Sequence, residues 1–346
     1  MPELPDVEVY LEGLRARVGD ATLEKVRVAS PFVLRSVEPP LSAAHGRRVV
    51  GLRRLGKRIV FDLEGDLHLV VHLMIAGRLR WESRGARVPA RLGLAAFDFT
   101  TGTLILTEAS KRRRAAITLV TGEDALAEMD PGGIDVLAAD LETFAEALRR
   151  ENHTLKRTLT DPRVFSGIGN AYSDEILHAA RLSPIAQTGR LTSEEVERLR
   201  RATQETLTAW RDRLLGEFAE RFPGPGDITA FRPDFAVHGR YRKPCPVCGK
   251  PVQRIRYAEN ETNYCAECQT GGRLLADRAL SRLLKTDWPR SIDDLDEGGI
   301  RKLPDSPAPS DADATSGKPD RSAKRRTRST AASRPAHSTG RSSGES

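Results

Sequence analysis

Two Cys-x-x-Cys pairs constrain the fold of this chain more than any other feature. Cys245 and Cys248 form the first pair, and Cys265 and Cys268 form the second pair sixteen residues later. Four thiols at this spacing predict a tetrahedral zinc site, in which four protein ligands leave no coordination position open for chemistry. We therefore expect one zinc ion per chain, with a structural role.

The segment between the two pairs is predicted to form a β-hairpin that carries Arg254, Arg256 and Tyr257. Basic and aromatic side chains in these positions suit contact with a nucleic-acid backbone. Zinc ribbons of many functions share this pattern, so the finger alone does not specify its partner.

Length, charge and cysteine usage narrow the class of protein. A chain of 346 residues predicts two domains with appendages. The net charge of +7, of which residues 304–346 carry +3, permits a polyanionic partner without requiring one. All four cysteines lie between 245 and 268, so we expect no disulfides elsewhere and a reducing cytoplasm. No secretory signal or membrane-spanning apolar run is visible.

The chain begins with Met1, Pro2 and Glu3, which together predict a reactive amine. Removal of Met1 would make the secondary amine of Pro2 the N-terminus. An α-amino group has a reference pKa of about 8, against about 10.4 for lysine, so more of it is unprotonated at neutral pH. Such an amine can form a Schiff base with an aldehyde-like sugar carbon. Glu3 can transfer the accompanying proton.

The same residues also suit the first turn of an ordinary amphipathic helix, and this alternative stays open at the level of spacing alone. The predicted helix has Pro5 in its first turn and ends at Gly19. Its apolar stripe consists of Leu4, Val7, Leu11, Leu14 and Val18.

Residues 20–120 are predicted to form short strands of a β-sandwich or barrel-like domain. The expected strands are 22–29, 48–53, 58–63, 67–73, 94–99 and 103–106. Two basic loops interrupt them, one around Lys57 and one at Lys111–Arg114. His68 and His72 fall on one face of a strand. Two histidines alone make no metal site, and packing or DNA contact is their expected role.

From about residue 125 the apolar residues recur at the spacing of an α-helix. Helices are predicted over 141–150, 155–159, 170–180 and 191–214, the last with a capping box at Glu195. Gly167 and Gly169 permit a tight turn, and Asn170 is the expected N-cap of the helix that follows. The turn's backbone N–H groups could bind a phosphate, but the motif taken alone favours a plain helix–turn–helix connection. Residues 215–235 are predicted to be a mobile loop.

These observations divide the chain into five predicted parts. They are a β-sandwich domain (1–122), a helical domain (123–235), a zinc finger (236–270), a helical extension (271–303) with a helix over 273–285, and a disordered basic tail (304–346). The fold class is therefore α+β and multidomain.

Taken in order, four landmarks resemble the formamidopyrimidine-DNA glycosylase / endonuclease VIII family. They are Pro2-Glu3-Leu4-Pro5 at the terminus, Gly56-Lys57 in the β domain, Gly167-Ile168-Gly169-Asn170 in the helical domain, and the four-cysteine finger. The resemblance implies an N-terminal β-sandwich with a flanking helix, a helix–two-turn–helix domain and a β-hairpin zinc finger. It also implies binding to damaged double-stranded DNA in the cleft between domains.

The family removes oxidised bases in base excision repair and cuts the abasic strand by β- or β,δ-elimination. By resemblance, Pro2 would be the Schiff-base nucleophile and Glu3 the acid/base, while Lys57 would contact a phosphate and assist elimination. Asn170 would contact phosphate from the turn. The resemblance also implies a monomer that works in the cytoplasm at the bacterial nucleoid.

Several positions depart from the family pattern. Ile75 stands where many members have a gap-filling methionine, and Arg112-Arg113-Arg114-Ala115 replaces an Arg-Arg-Phe segment. Asn260 stands where the family has a phosphate-binding arginine, shortly before the third cysteine of the finger. Ile75, Arg112, Arg113, Asn260 and Arg256 are our further candidate DNA contacts. Leu4 favours the branch of the family that acts on purine lesions.

Two alternatives to a bifunctional glycosylase remain at this level. One is an abasic-site lyase with little base excision, which the altered gap-filling positions favour. The other is a noncatalytic zinc protein that binds damaged DNA, which retention of Met1 would favour.

Overall fold

The computed structural model describes residues 1–257, 260–276 and 290–294, and only the backbone of Tyr257 and Asn260. These residues belong to one compact unit, Met1–Lys302. The predicted helix over 273–285 falls mostly on residues 277–289, which lie outside the described part, as does the tail 304–346. Residues 273–276 are not helical.

Seven α-helices and ten strands lie within the described residues. The helices are α1 (Leu4–Val18), α2 (Glu123–Ala127), α3 (Leu141–Arg149), α4 (Leu155–Thr160), α5 (Asn170–Ala179), α6 (Ser193–Glu217) and α7 (Ala266–Thr270). The strands are β1 (Thr22–Val28), β2 (Arg47–Leu55), β3 (Arg58–Leu63), β4 (Leu67–His72), β5 (Gly77–Glu82), β6 (Gly93–Phe99), β7 (Gly102–Glu108), β8 (Ala116–Thr121), β9 (Gln253–Tyr257) and β10 (Asn260–Tyr264).

The first eight strands form the predicted β-sandwich. Their order is β5-β7-β6-β1-β2-β3-β4-β8, and every pair is antiparallel. Only two residue pairs join β1 to β2, so the sheet divides there into two layers. The ring of Phe61 on β3 packs against Phe97 and Phe99 on β6, at centroid distances of 6.3 and 6.0 Å. These rings form the apolar centre between the layers.

Helix α1 belongs to two hydrophobic cores at once. Its residues Val7, Tyr10 and Leu14 are fully buried in the core of the sandwich. Leu4 is buried in a second core, formed by α3 to α6. Because one short helix spans both cores, the N-terminal residues are held at the junction between the β-sandwich and the helical domain.

The finger packs on helix α5 and on the turn that follows it through specific polar contacts. The backbone N–H of Asn263 donates to the Asp174 carboxylate at 3.0 Å, and the Gln269 side chain donates to the Leu182 carbonyl at 2.9 Å. Strands β9 and β10 form the predicted hairpin. Within the described ranges, no helix combines the length and the apolarity needed to cross a bilayer.

Candidate active site

A cleft of about 1090 Å³ lies where the sandwich, the helical domain and the finger meet. Its wall includes the first residue of the chain, Glu3, Lys57 and Asn170. The finger contributes Arg256. With Ile75, which also lines it, five of the predicted site residues therefore share this cavity with the N-terminus.

Glu3 is buried, and its carboxylate is held by the start of helix α5. It accepts hydrogen bonds from the backbone N–H groups of Gly169 at 2.6 Å, Ala171 at 2.9 Å and Tyr172 at 3.3 Å. A helix N-terminus has unpaired N–H groups and a partial positive charge, both of which suit a carboxylate. A residue of the first domain thus caps a helix of the second.

The two glycines before α5 allow this close approach. A Cβ on Gly169 would lie 2.6 Å from the Glu3 Cδ atom. Gly167 has φ +88°, and its carbonyl accepts a hydrogen bond from the Leu4 N–H at 3.0 Å. The turn therefore positions both the backbone and the side chain of the N-terminal segment.

The expectation that Asn170 is the N-cap of α5 is wrong. Gly169 occupies the N-cap position, and Asn170 is the first helical residue. The Asn170 side chain donates instead to the Glu261 carbonyl of the finger at 3.0 Å. Since the Glu3 carboxylate already satisfies the helix N–H groups, the Asn170 amide remains at the wall of the cleft.

Pro2 is buried, whereas Met1 is half-buried and lines the cleft. Burial lowers the pKa of the terminal amine on Met1, and the nearby Glu3 carboxylate opposes this shift. Removal of Met1 would place the Pro2 nitrogen at the end of the chain, beside the cleft.

Lys57 lies in the turn between β2 and β3, which needs Gly56 at φ +62°. Burial lowers the pKa of Lys57, while attraction to Glu3 raises it. The Glu3 charge favours the ammonium form of Lys57, and an ammonium group at the wall of the cleft can donate to a phosphate.

A buried ion pair between Asp6 and Arg232 holds the backbone of Glu3. The Glu3 N–H donates to Asp6 at 2.9 Å, and Asp6 accepts a hydrogen bond from Arg232 at 2.6 Å. Burial raises the pKa of Asp6, and the Arg232 charge partly offsets this. No local pattern indicates this pair, because its two members lie far apart in the chain.

Apolar and basic side chains near the cleft differ in part from the predicted set. Ile75 lines the cleft and is 52% exposed, and Met74 beside it also lines the cleft at φ +52°. The basic loop contributes Arg114 to the wall, whereas Arg112 and Arg113 are exposed outside it. The role of these arginines in DNA binding stays a prediction.

Phe231 and His238 also line the cleft, and sequence reasoning missed both. Phe231 is 68% exposed and stacks on the His238 ring at 5.8 Å. His238 contacts the buried Asp174 carboxylate at 2.7 Å, and Lys156 contacts the other oxygen of Asp174. An exposed aromatic ring fixed at the mouth of a cleft is suited to stacking against a base.

The four cysteines come together as predicted. Their Sγ atoms all lie within 4.8 Å of one another, with Cys248 and Cys265 3.4 Å apart. Burial raises the pKa of the Cys268 thiol to about 12, and a zinc ion would stabilise its thiolate form instead. Four converging thiols fit one structural zinc ion. His178 of α5 lies 3.3 Å from the Cys245 sulfur and connects the zinc site to the helical domain.

Three family models match the chain in this order. They are the formamidopyrimidine-DNA glycosylase N-terminal domain over residues 1–117, the formamidopyrimidine-DNA glycosylase H2TH domain over 133–210, and a zinc finger found in FPG and IleRS over 242–271.

Whole-length relatives agree with these matches. A formamidopyrimidine-DNA glycosylase of Thermus thermophilus is 35% identical over 280 residues, which cover 79% of this chain and 100% of the relative. That of Heliobacterium modesticaldum is 34% identical over 278 residues, covering 78% and 100%.

Solved structures give the same result. The crystal structure of the MutM (Fpg) protein from Thermus thermophilus is similar with a TM-score of 0.66 and 34% identity, covering 78% of this chain and 98% of that chain. A Lactococcus lactis FPG mutant in complex with a Fapy-dG containing DNA has a TM-score of 0.69 and 25% identity, covering 78% and 100%.

The sandwich, the helical domain and the finger around one cleft thus define a zinc-finger DNA glycosylase of base excision repair. The chain belongs to the formamidopyrimidine-DNA glycosylase family. Members of this family are DNA glycosylases with AP lyase activity.

Proposed function

We propose that this enzyme excises oxidised bases from duplex DNA through a Schiff base on Pro2 and then cuts the abasic strand. The observation that carries this proposal is the position of Glu3 and Lys57 in one cleft with the start of the chain. Three backbone N–H groups hold the Glu3 carboxylate, so a proton-transfer group is fixed one residue from the amine.

The chemistry follows from these groups. The neutral Pro2 nitrogen attacks C1′, the bond from C1′ to the base breaks, and the base leaves as an anion that takes a proton from solvent. Glu3 passes the proton lost by the Pro2 nitrogen to O4′ as the C1′–O4′ bond breaks, which leaves an iminium at C1′. Loss of a C2′ proton then expels the 3′ phosphate, with Lys57 stabilising its charge. Hydrolysis of the iminium frees Pro2.

The substrate must be an extruded nucleotide, because C1′ is not accessible in stacked duplex DNA. Solved relatives support this partner, since the Lactococcus lactis protein is described in complexes with Fapy-dG containing DNA and THF-DNA. We assign phosphate contacts to Lys57, Asn170 and Arg256. We propose that Ile75, Met74 and Phe231 fill the gap that the extruded base leaves in the duplex, because large apolar side chains can replace lost stacking.

The predicted division of the chain fits this assignment. The sandwich (1–122) would carry the nucleophile, and the helical domain (123–235) would hold Glu3 and the phosphate turn. The finger (236–270) would bind the phosphate backbone of the DNA through Arg256 and Asn260. Arg112 and Arg113 would extend the contact along the duplex. We place the enzyme at the bacterial nucleoid, as a monomer.

Borohydride trapping tests the nucleophile. A covalent protein–DNA adduct is expected with oxidised and with abasic duplexes, and a peptide map should locate it on Pro2. Pro2→Gly should weaken trapping strongly, and a form that retains Met1 should abolish it. Unchanged trapping in both forms would show that another amine is the nucleophile.

A panel of duplexes tests base excision separately. Release of 8-oxoguanine, formamidopyrimidine and thymine glycol is compared with cutting at a preformed abasic site. We expect release of at least one lesion base. Cutting of the abasic duplex without any base release would show that the enzyme is an abasic-site lyase and not a glycosylase.

A further inference from the structure

We infer that the β-sandwich carries a second cation site, formed by His68, Asp66 and Glu123, which binds a divalent first-row transition ion. The surrounding cavity is separate from the active site, since the two share no lining residue. It lies at the end of strands β3 and β4, where the chain leaves β8 for helix α2.

The orientation of His68 points to a ligand. The residue is 4% exposed, and its Nδ1 atom lies 2.7 Å from an Asp62 carboxylate oxygen. A carboxylate only accepts, so Nδ1 carries a hydrogen, and in the neutral imidazole Nε2 then carries the lone pair. This buried Nε2 has no hydrogen-bond partner among the described residues. A carboxylate that orients a histidine in this way is the usual support of a metal-binding imidazole.

The Nε2 lone pair faces two carboxylates. It lies 3.5 Å from Asp66 and 3.8 Å from Glu123, distances too long for hydrogen bonds. Two ligands of one tetrahedral ion are about 3.4 Å apart when each lies about 2.1 Å from the metal. The spacing is therefore close to that of atoms that share an ion. One imidazole and two carboxylates suit Zn²⁺ or Mn²⁺.

The charge of the cluster also calls for a cation. Asp62, Asp66 and Glu123 carry three negative charges, and Arg53, paired with Asp62 and Glu123, supplies one positive charge. With a neutral His68 the cluster has a net charge of −2, which a divalent ion would neutralise. Glu123 and Asp66 are exposed, with side-chain exposures of 64% and 66%, so both can turn toward the ion.

Such an ion would link three elements. It would join β4 through His68, the β3–β4 turn through Asp66, and the first turn of α2 through Glu123. The Gly122 N–H already donates to the Asp66 carbonyl at 2.9 Å, so the ion would reinforce an existing contact. The expected effect is to stabilise the connection from the sandwich to the helical domain.

Metal counting tests the site without reference to repair activity. Full-length protein with a zinc-loaded finger is titrated with Mn²⁺, and free Mn²⁺ is measured by electron paramagnetic resonance. Equilibrium dialysis against Zn²⁺ gives the second count. We expect one additional ion per chain with at least one of the two metals, and a higher melting temperature in its presence.

Three variants locate the ion. Asp66→Asn combined with Glu123→Gln removes two exposed ligands and should weaken binding at least tenfold without loss of folding. His68→Gln should do the same if it folds. His153→Gln is the matched control, because the His153 Nε2 atom contacts a single carboxylate, that of Glu151, and binding should not change.

Absence of a second ion with both metals would overturn the site. So would additional binding that the Asp66/Glu123 double variant leaves intact. A protonated Nε2 on His68 in the presence of either metal, detected by nitrogen NMR, would show an imidazolium paired with carboxylates and would also overturn it.

Discussion

At Gly169 a single missing Cβ determines whether Glu3 can reach helix α5. The Cβ of any other residue would lie 2.6–2.9 Å from the Glu3 side chain, and Gly169 has φ −131°, which other residues also adopt. The glycine is therefore required for space and not for backbone conformation.

We expect Gly169→Ala to displace the Glu3 carboxylate and to lower the rate of Schiff-base formation by about 100-fold, since a shift of about 1 Å can have this effect. Single-turnover borohydride trapping measures the rate. Gly216→Ala is the matched control, because a Cβ there meets nothing within 4 Å. A normal rate in Gly169→Ala would show that Glu3 does not need this position.

Lys57 should determine how activity falls at alkaline pH. Burial lowers the pKa of Lys57, so its ammonium loses its proton at a lower pH than that of an exposed lysine. The rate of strand cutting should therefore decline as the pH rises through this lowered pKa. Lys57→Arg keeps the charge, and we expect its alkaline decline to move to higher pH.

The measurement is the single-turnover rate of cutting at a preformed abasic site, taken across the neutral and alkaline range. An identical alkaline limb for the wild type and Lys57→Arg would mean that another group titrates there.

At the scale of the element, helix α1 depends on the buried pair of Asp6 and Arg232, whose side chains are 5% and 7% exposed. Removal of one member leaves the other as an unpaired buried charge, which costs about 3–5 kcal/mol. We expect Asp6→Asn to lower the free energy of unfolding by this amount, and Asp6→Asn with Arg232→Met to recover a large part of it.

Urea denaturation measures both changes. The exposed pair of Glu12 and Arg15 on the same helix is the control, and Glu12→Gln should change stability by about 0.5 kcal/mol or less. Equal effects of Asp6→Asn and Glu12→Gln would show that the buried pair does not anchor α1.

The elements with a local signal were predictable from the sequence. Helix α1, the capping box of α6 and most strands appear close to their expected positions, because apolar period and end residues act over a few positions. Strands β5 and β8 were not predicted, because charged residues in or beside each strand weaken its apolar pattern.

Contacts between distant residues were not predictable in this way. Glu3 caps α5 from 166 residues or more away, and that cap displaced Asn170 from its expected role. His238 and Phe231 carry no local motif that marks them as cleft residues. The chemistry of the site could be proposed from Pro2, Glu3 and Lys57, whereas its supporting network required the folded chain.

At the scale of the whole molecule, loss of the zinc finger's structure should weaken DNA binding while the β-sandwich stays folded. The finger contacts α5 through Asn263 and Cys245 and the turn after α5 through Gln269, and it supplies the carbonyl that holds Asn170. Since four thiolates organise this domain, loss of zinc should disorder these contacts.

We expect removal of zinc with a chelator to weaken binding of an abasic-site duplex at least tenfold, while the sandwich keeps its β-sheet circular dichroism. Fluorescence anisotropy measures the affinity, and added Zn²⁺ should restore it. Undiminished affinity in the metal-free protein would contradict a role for the finger in DNA binding.

The double membership of helix α1 in two cores has a consequence for biosynthesis. In the proposed mechanism the nucleophile, Pro2, is made first, yet Gly169 and Arg232, which position the N-terminal segment, lie 166 and 226 residues beyond their partners Glu3 and Asp6. The N-terminal segment therefore leaves the ribosome long before these partners can fix it, and in the folded chain Met1 still lines the cleft. Under the proposed mechanism, a purification tag left before Pro2 should prevent Schiff-base formation, however well the remainder folds.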